Sequence, residues 1–370
     1  YAMEIKNPNH EIAEVFYRLN IGALVEDKLI AKAFGLILTN PNVKARDAQL
    51  GALLTGLMVR GPSVREVVTL IRTALNIDGV TRYKPILPPG ERLVGVAGSG
   101  KKGCKTFNIS TPACLIASAA GAYIAKTGSS ATSSVSGSKD FMSAVGAKIL
   151  NPNEMIEVLL STKFGFFPIE EMVPKFDAVY GGKTFGPTPL SFALPAVVNP
   201  IACDAVLYGL SHPNVPLALN IFVELGYENV MIVSSSHDKV HYIDELSTLE
   251  HNLIGKIDGG NVGKVEELSV ASITLRPPSV PEDLRQGDSL IENVQLTLKV
   301  LQGKSQGPCE DTVALNAAGI LVMAGKETVL ADGFNRSIET IRTGAGLRKL
   351  EEFIEATGGN KKALSTIMGG

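Results

Sequence analysis

Apolar positions in the first eighty residues recur at helical spacing. Leu50, Leu53, Leu54, Leu57 and Met58 fall at i, i+3, i+4, i+7 and i+8, which is one face of a helix. Similar periodicity runs through Ile12–Leu19 and Leu24–Leu38, and Ser63-Val64-Arg65-Glu66 reads as a capping box that opens a helix through about Leu75. Residues 4–79 are therefore expected to form a helical subdomain of about four helices, with a contribution from about 164–190. From about residue 80 the pattern changes to short apolar runs alternating with helical ones. Leu93–Val96 and Asn229–Val233 read as buried strands, and Pro112–Lys126, Lys139–Val145 and Val215–Leu225 as helices. Such alternation predicts an α/β fold with a central, mostly parallel sheet across residues 80–370. The Gly-, Pro- and Phe-rich residues 164–200 are expected to cross between subdomains. A final helical pair is expected around Leu315–Met323 and Ser337–Ile354.

Composition narrows the class. A chain of 370 residues with 45% hydrophobic content, 37 glycines and no tryptophan fits a compact α/β enzyme. The formal net charge of −2 gives no general attraction to nucleic acid or anionic membrane, so an anion site must be built locally. Cys104, Cys114, Cys203 and Cys309 are scattered without a C-x-x-C pair, the pattern of a reducing compartment. No signal-peptide pattern opens the chain, no apolar run reaches membrane-spanning length, and Tyr1-Ala2-Met3 reads as a cleavage scar. The expectation is a soluble cytoplasmic protein.

Two segments carry candidate chemistry. After the strand Leu93–Val96 come Gly98-Ser99-Gly100-Lys101-Lys102-Gly103 and then Thr106, Asn108, Ser110 and Thr111 ahead of a helix. Glycines let backbone approach an anion, and a helix N-terminus offers unpaired N–H groups and a favourable dipole. Two familiar phosphate motifs fail here. The P-loop pattern from Gly95 reaches Lys102 where a Mg²⁺-binding Ser or Thr belongs, and the dinucleotide match of Gly98, Gly100 and Gly103 is followed by polar residues where its helix should be apolar. The second segment, Lys126 to Asp140, is serine-dense and includes Gly128, Ser129, Ser133, Ser134 and Ser138. Its composition suits either a flexible linker or a hydroxyl cradle for pyrophosphate.

Read together, G-S-G-K-K-G-x-x-T-F-N-I-S-T and K-T-G-S-S-x-x-S-S-x-S-G-S-x-D resemble the paired motifs of the anthranilate phosphoribosyltransferase family, whose fold is shared with pyrimidine nucleoside phosphorylases. Further matches are Asn199-Pro200, Asp244-Glu245 and Leu315-Asn316-Ala317-Ala318. The resemblance implies a Mg²⁺-dependent transfer of phosphoribose from phosphoribosyl pyrophosphate to an aromatic or heteroaromatic nitrogen acceptor, and a homodimer. It assigns donor binding to the glycine loop (Gly98, Ser99, Gly100, Lys101, Lys102 and Gly103), to Thr106, Asn108, Ser110 and Thr111, and to Lys126, Gly128, Ser129, Ser133, Ser134 and Ser138. It assigns one Mg²⁺ to Ser110 and a second to Asp244 and Glu245. Catalysis would be by positioning and electrostatics, without an assigned acid or base.

The chain departs from the family pattern on the acceptor side. Lys101-Lys102 stands where the family has Gly-Asp, Thr127, Ser129 and Ser130 replace a His, an Asn and an Arg, and an ungapped count places Thr188 at the arginine that meets anthranilate's carboxylate. The two lysines are expected to supply charge to pyrophosphate or to an anionic acceptor; the alternative is that both point to solvent. Anthranilate is the default acceptor. Nucleoside phosphorolysis and a non-catalytic nucleic-acid-binding relative are the alternatives. His237 and His241 at i, i+4 beside Asp244 and Glu245 resemble a metal-hydrolase helix, but Asp238 replaces the needed Glu, and surface histidines are the expectation.

Overall fold

A computed structural model describes residues 9–132 and 134–369; the sequence assignments to Tyr1-Ala2-Met3 and to Ser133 lie outside the described residues. Four helices come first: α1 (His10–Asn20), α2 (Asp27–Leu38), α3 (Val43–Arg60) and α4 (Val64–Asp78). The capping box of α4 forms as its sequence dictates. Ser63 Oγ accepts from the Glu66 N–H and the Glu66 carboxylate accepts from the Ser63 N–H, so two otherwise unpaired donors are satisfied. Glu66 is buried, and it also pairs with Arg60 and accepts from the Val25 N–H, tying three segments of the bundle together.

The α/β part follows in the order β1 (Leu93–Gly98), α5 (Ser110–Ala119), β2 (Tyr123–Gly128), α6 (Ser138–Ala144), α7 (Pro152–Thr162) and β3 (Phe164–Pro168). Short helices α8 (Ile169–Met172), α9 (Pro174–Tyr180) and α10 (Leu194–Val197) lead to β4 (Ala205–Gly209), α11 (Val215–Glu224), β5 (Val230–Ser236), β6 (Tyr242–Ile243), β7 (His251–Asp258), β8 (Asn261–Val262) and β9 (Glu266–Glu267). Helices α12 (Ala271–Thr274), α13 (Leu290–Leu301), α14 (Pro308–Met323), α15 (Leu330–Arg342), α16 (Ala345–Ala356) and α17 (Lys361–Gly369) complete the chain.

Strands β3-β2-β1-β4-β5 are parallel in that spatial order, and β7 adds to β5 antiparallel. Successive residues face opposite sides of the sheet. Leu207, Met231 and Val233 join a core with α5, α14 and α16, while Val206, Tyr208, Val230 and Ile232 join a second core with α1–α4, α9 and α11. The first four helices thus pack, through α4 and α11, against one face of the sheet.

Three expectations change. The helix expected over Pro112–Lys126 is α5, which begins at Ser110 and ends at Ala119; after the turn at Gly121 (φ +106°) the chain becomes β2. Tyr123 to Thr127 are all buried, and a strand covered on both faces has no alternation to separate it from a buried helix. The crossing segment 164–200 begins with a full strand, β3, which forms one edge of the sheet. The last helical pair is three helices, because Gly344 (φ +67°) separates α15 from α16. Among the described residues no helix is long and apolar enough to cross a membrane.

Candidate active site

The spatial order of the parallel strands reverses between β1 and β4, and ligands of open α/β sheets bind beyond the strand C-termini at such a point. Both motif segments leave the sheet there, from Gly98 and from Gly128. Asp244 and Glu245 reach the same place from the connection between β6 and β7. Ser235 Oγ donates to the Glu245 carbonyl at 2.8 Å, and Asn316 on α14 brackets the next residue, with its Oδ1 accepting from the Leu246 N–H at 3.1 Å and its Nδ2 donating to the Leu246 carbonyl at 2.7 Å. Asp244 lies across the ends of β1 and β4, where a Cβ on Gly98 would collide with its carboxylate and a Cβ on Gly209 with its carbonyl oxygen.

The glycine loop is a braced structure. Ser99 is buried; its Oγ accepts from the Ser211 N–H at 2.8 Å and bonds the Ser211 hydroxyl, so this side chain pins the loop to the end of β4. Gly100 donates to Asp244 Oδ2 at 2.8 Å, and Gly103 donates to the Tyr242 carbonyl at 2.8 Å. Gly100 and Lys101 both take left-handed backbone (φ +63° and +57°), which costs a lysine on the order of 1 kcal/mol. Neither loop lysine points into bulk water. Lys101 bonds the Tyr180 hydroxyl and lies 4.5 Å from the centre of that ring. Lys102 Nζ sits 2.8 Å from Glu245 Oε1, 2.8 Å from Thr106 Oγ1 and 3.5 Å from Asp244 Oδ1.

Lys102, Thr106, Asn108, Ser110, Lys126, Gly128, Ser129, Ser134 and Ser138 line one cleft together with Asp244 and Glu245. Ser99, Gly103 and Thr111 do not join them; Thr111 is fully buried behind the first turn of α5, and among the described residues its hydroxyl has no hydrogen-bond partner. Lys126 is 2% exposed; its Nζ donates to Ser110 Oγ at 3.0 Å, and among the described residues it has no carboxylate within ion-pair distance. Burial pulls this ammonium below the ordinary lysine value. For Lys102 burial acts the same way, but the Glu245 and Asp244 carboxylates overcome it and hold the ammonium above that value. Burial and the adjacent Asp244 push Glu245 up to about 8, against the pull of the Lys102 ammonium, whereas, despite burial, Lys102 and the Gly100 N–H help hold Asp244 below the ordinary carboxylate value.

The serine-dense segment is folded back on itself. Asp140 Oδ2 accepts from the N–H groups of Ala131 and Gly137 at 2.7 and 2.8 Å, and Glu170 Oε1 accepts from the Ser130 N–H at 2.6 Å. On its other side lies a second cavity of about 370 Å³, which meets the cleft along Gly98, Gly100, Lys101, Ser129, Ser130 and Thr132. Ile169, Phe176, Tyr180, Leu190, Leu194 and Val198 give it apolar walls. Lys101 is its one lining cation among the described residues, against Glu170 and Asp177. Among the described residues Glu170 Oε2 and Thr184 Oγ1 are buried without hydrogen-bond partners, and burial together with Glu170 raises the Asp177 carboxyl. Thr188 is not in the wall itself; its Oγ1 bonds the Tyr180 hydroxyl at 2.8 Å from behind. Glu170, Asp177 and Tyr180 carried no motif signal; α8 and α9 bring them in, and their only trace in the sequence is a Pro- and Phe-rich crossing segment.

Two other features stand apart. A larger cavity, about 480 Å³, opens at the N-terminal ends of the strands, but its Lys84 pairs with Asp204 and its Glu91 with Lys326. His237 and His241 lie on an exposed turn instead of a helix, where His241 Nδ1 is 2.6 Å from Asp238 Oδ2.

Comparisons with known proteins agree with this arrangement. The sequence model described as "Glycosyl transferase family, a/b domain" matches residues 90–347. The anthranilate phosphoribosyltransferase of Stenotrophomonas maltophilia is 32% identical over 314 residues, covering 83% of this chain and 87% of its own length. That of Acetivibrio thermocellus is 30% identical over 320 residues, covering 85% and 88%. The chain belongs to the anthranilate phosphoribosyltransferase family of glycosyltransferases. Solved structures share the fold. The Thermus thermophilus anthranilate phosphoribosyltransferase superposes with a TM-score of 0.76 at 23% identity over 93% of this chain and 99% of that one. The Saccharomyces cerevisiae enzyme, solved in complex with phosphoribosyl pyrophosphate and Mg²⁺, superposes at 0.78 and 20% identity over 94% and 98%.

Proposed function

We propose that this family member transfers a phosphoribosyl group from phosphoribosyl pyrophosphate to the nitrogen of a small aromatic acceptor and releases pyrophosphate. One observation carries the reading: among the described residues Lys126 is a buried cation with no carboxylate within ion-pair distance, in a cleft lined by hydroxyls and the first turn of α5. A buried charge without an ion-pair partner is costly, and an anion between Lys126, Ser110 and the N-terminus of α5 removes that cost. The pyrophosphate end of the donor is such an anion.

The residues also fit Mg²⁺. Ser110 Oγ keeps a lone pair after accepting from Lys126, and Mg²⁺ commonly takes one or two protein oxygens with the rest from water and substrate phosphates. When bound, Mg²⁺ would neutralise charge on the pyrophosphate. The protein's own groups then position the reaction. The bond from the sugar C1 to pyrophosphate breaks as a C1–N bond forms across the seam between the two cavities, and the nitrogen gives up a proton. Glu170 and Asp177 are the carboxylates that line that cavity and could receive it.

Anthranilate is the first acceptor to test, since the curated relatives are named for it. The cavity also favours a second reading. With Lys101 its one lining cation against Glu170 and Asp177, it suits acceptors that present more N–H donors than carboxylates. Calorimetry with phosphoribosyl pyrophosphate and Mg²⁺ is expected to show binding that falls roughly 10- to 100-fold in Lys126→Met, the loss of a charge-assisted contact. Pyrophosphate release with anthranilate and with aromatic amines lacking a carboxylate then identifies the acceptor. Absence of donor binding would refute the enzyme reading.

A further inference from the structure

The acidic pair, which the family resemblance gives to a second Mg²⁺, already faces a cation in this chain. Lys102 Nζ meets three oxygens there: Glu245 Oε1 and Thr106 Oγ1 at 2.8 Å and Asp244 Oδ1 at 3.5 Å. The backbone enforces the encounter. Consecutive left-handed residues Gly100 and Lys101 turn the loop back, the Gly100 N–H fastens it to Asp244 Oδ2, and the Gly103 N–H fastens it to the Tyr242 carbonyl, two residues before Asp244. Lys102 is thereby held between two anchors that both belong to the segment it pairs with. A divalent ion at the same carboxylates would have to share them with an ammonium of like charge, at a separation where that repulsion is strong.

We propose that Lys102 is a tethered replacement for the second metal ion, so that the complex with phosphoribosyl pyrophosphate holds one divalent cation, at Ser110, instead of two. This rests on the phosphoribosyl-transfer reading. A tethered cation loses no translational freedom when substrate arrives, so the acidic pair keeps a counter-charge at any concentration of free metal.

Counting bound Mn²⁺ by electron paramagnetic resonance, on protein saturated with phosphoribosyl pyrophosphate, tests the assignment without any turnover. One Mn²⁺ per chain is expected for the wild type and for Lys102→Arg, which keeps the charge. Two are expected for Lys102→Met, which frees both carboxylates. Two ions in the wild type would overturn the proposal, and that count needs no variant to fold. One ion in Lys102→Met with donor affinity intact would overturn it equally. Failure of the underlying reading looks different, because calorimetry on the wild type would then detect no donor binding.

Discussion

Glu66 shows how one side chain can join several parts of the helical bundle. Its carboxylate serves Arg60, the Ser63 N–H and the Val25 N–H while only 1% exposed. Glu66→Gln leaves Arg60 without a counter-charge, and chemical denaturation is expected to show a loss of roughly 3 kcal/mol, the range for breaking a buried pair. Burial acts to raise the Glu66 carboxyl, but Arg60 and the two N–H donors prevail and lower it from 4.5. Its stabilisation is therefore full above the unfolded value and is lost as the pH falls through the lower folded value. Acid titration of stability should show that loss in the wild type and a flatter profile in Glu66→Gln. A thiol gives an independent check at the same scale. Burial pushes Cys114, which is fully buried, up to about 12, so it should resist a thiol-directed reagent at pH 8 in the folded protein and react once it is unfolded.

Among elements, the serine-dense segment is the one whose composition is least informative. Serine content alone fits a mobile linker, yet Asp140 gathers two N–H groups and Glu170 a third, and these make it one wall of the cleft and of the second cavity. Asp140→Ala is expected to weaken donor binding about tenfold or more and to expose residues 129–137 to limited proteolysis, with little change in overall unfolding. Legibility in the sequence followed physical cause. The α4 capping box could be read because it is local, four consecutive residues satisfying one another. Strand β2 could not, since all but its last residue are buried and no polar face marks its period. Glu170 and Asp177 were invisible because their importance comes from α8 and α9 folding against a loop some forty residues earlier.

At the scale of the molecule, the sheet places three distant segments at one point beyond its strands: the loop after β1, the loop after β2 and the acidic connection before β7. The paired motifs were legible as a unit through their resemblance to one family, whereas the layering of the bundle onto the sheet through α4 and α11 left no motif. The arrangement is intolerant of added volume at its centre. Gly209→Ala is expected to cost about 1–3 kcal/mol in a urea melt, as overpacking does, and to abolish donor binding by displacing Asp244.

That crowding also has an evolutionary consequence. Gly98 and Gly209 are separated by more than a hundred positions, yet each is held to a bare backbone by the same residue, Asp244. Within the lineage of this chain, Gly98 is not free to drift while the Asp244 carboxylate remains, and Gly209 is fixed by the backbone of residue 244 whatever side chain stands there. Mutational histories should therefore be ordered at one site and closed at the other, with replacement of Asp244 preceding any side chain at Gly98 and Gly209 retained throughout.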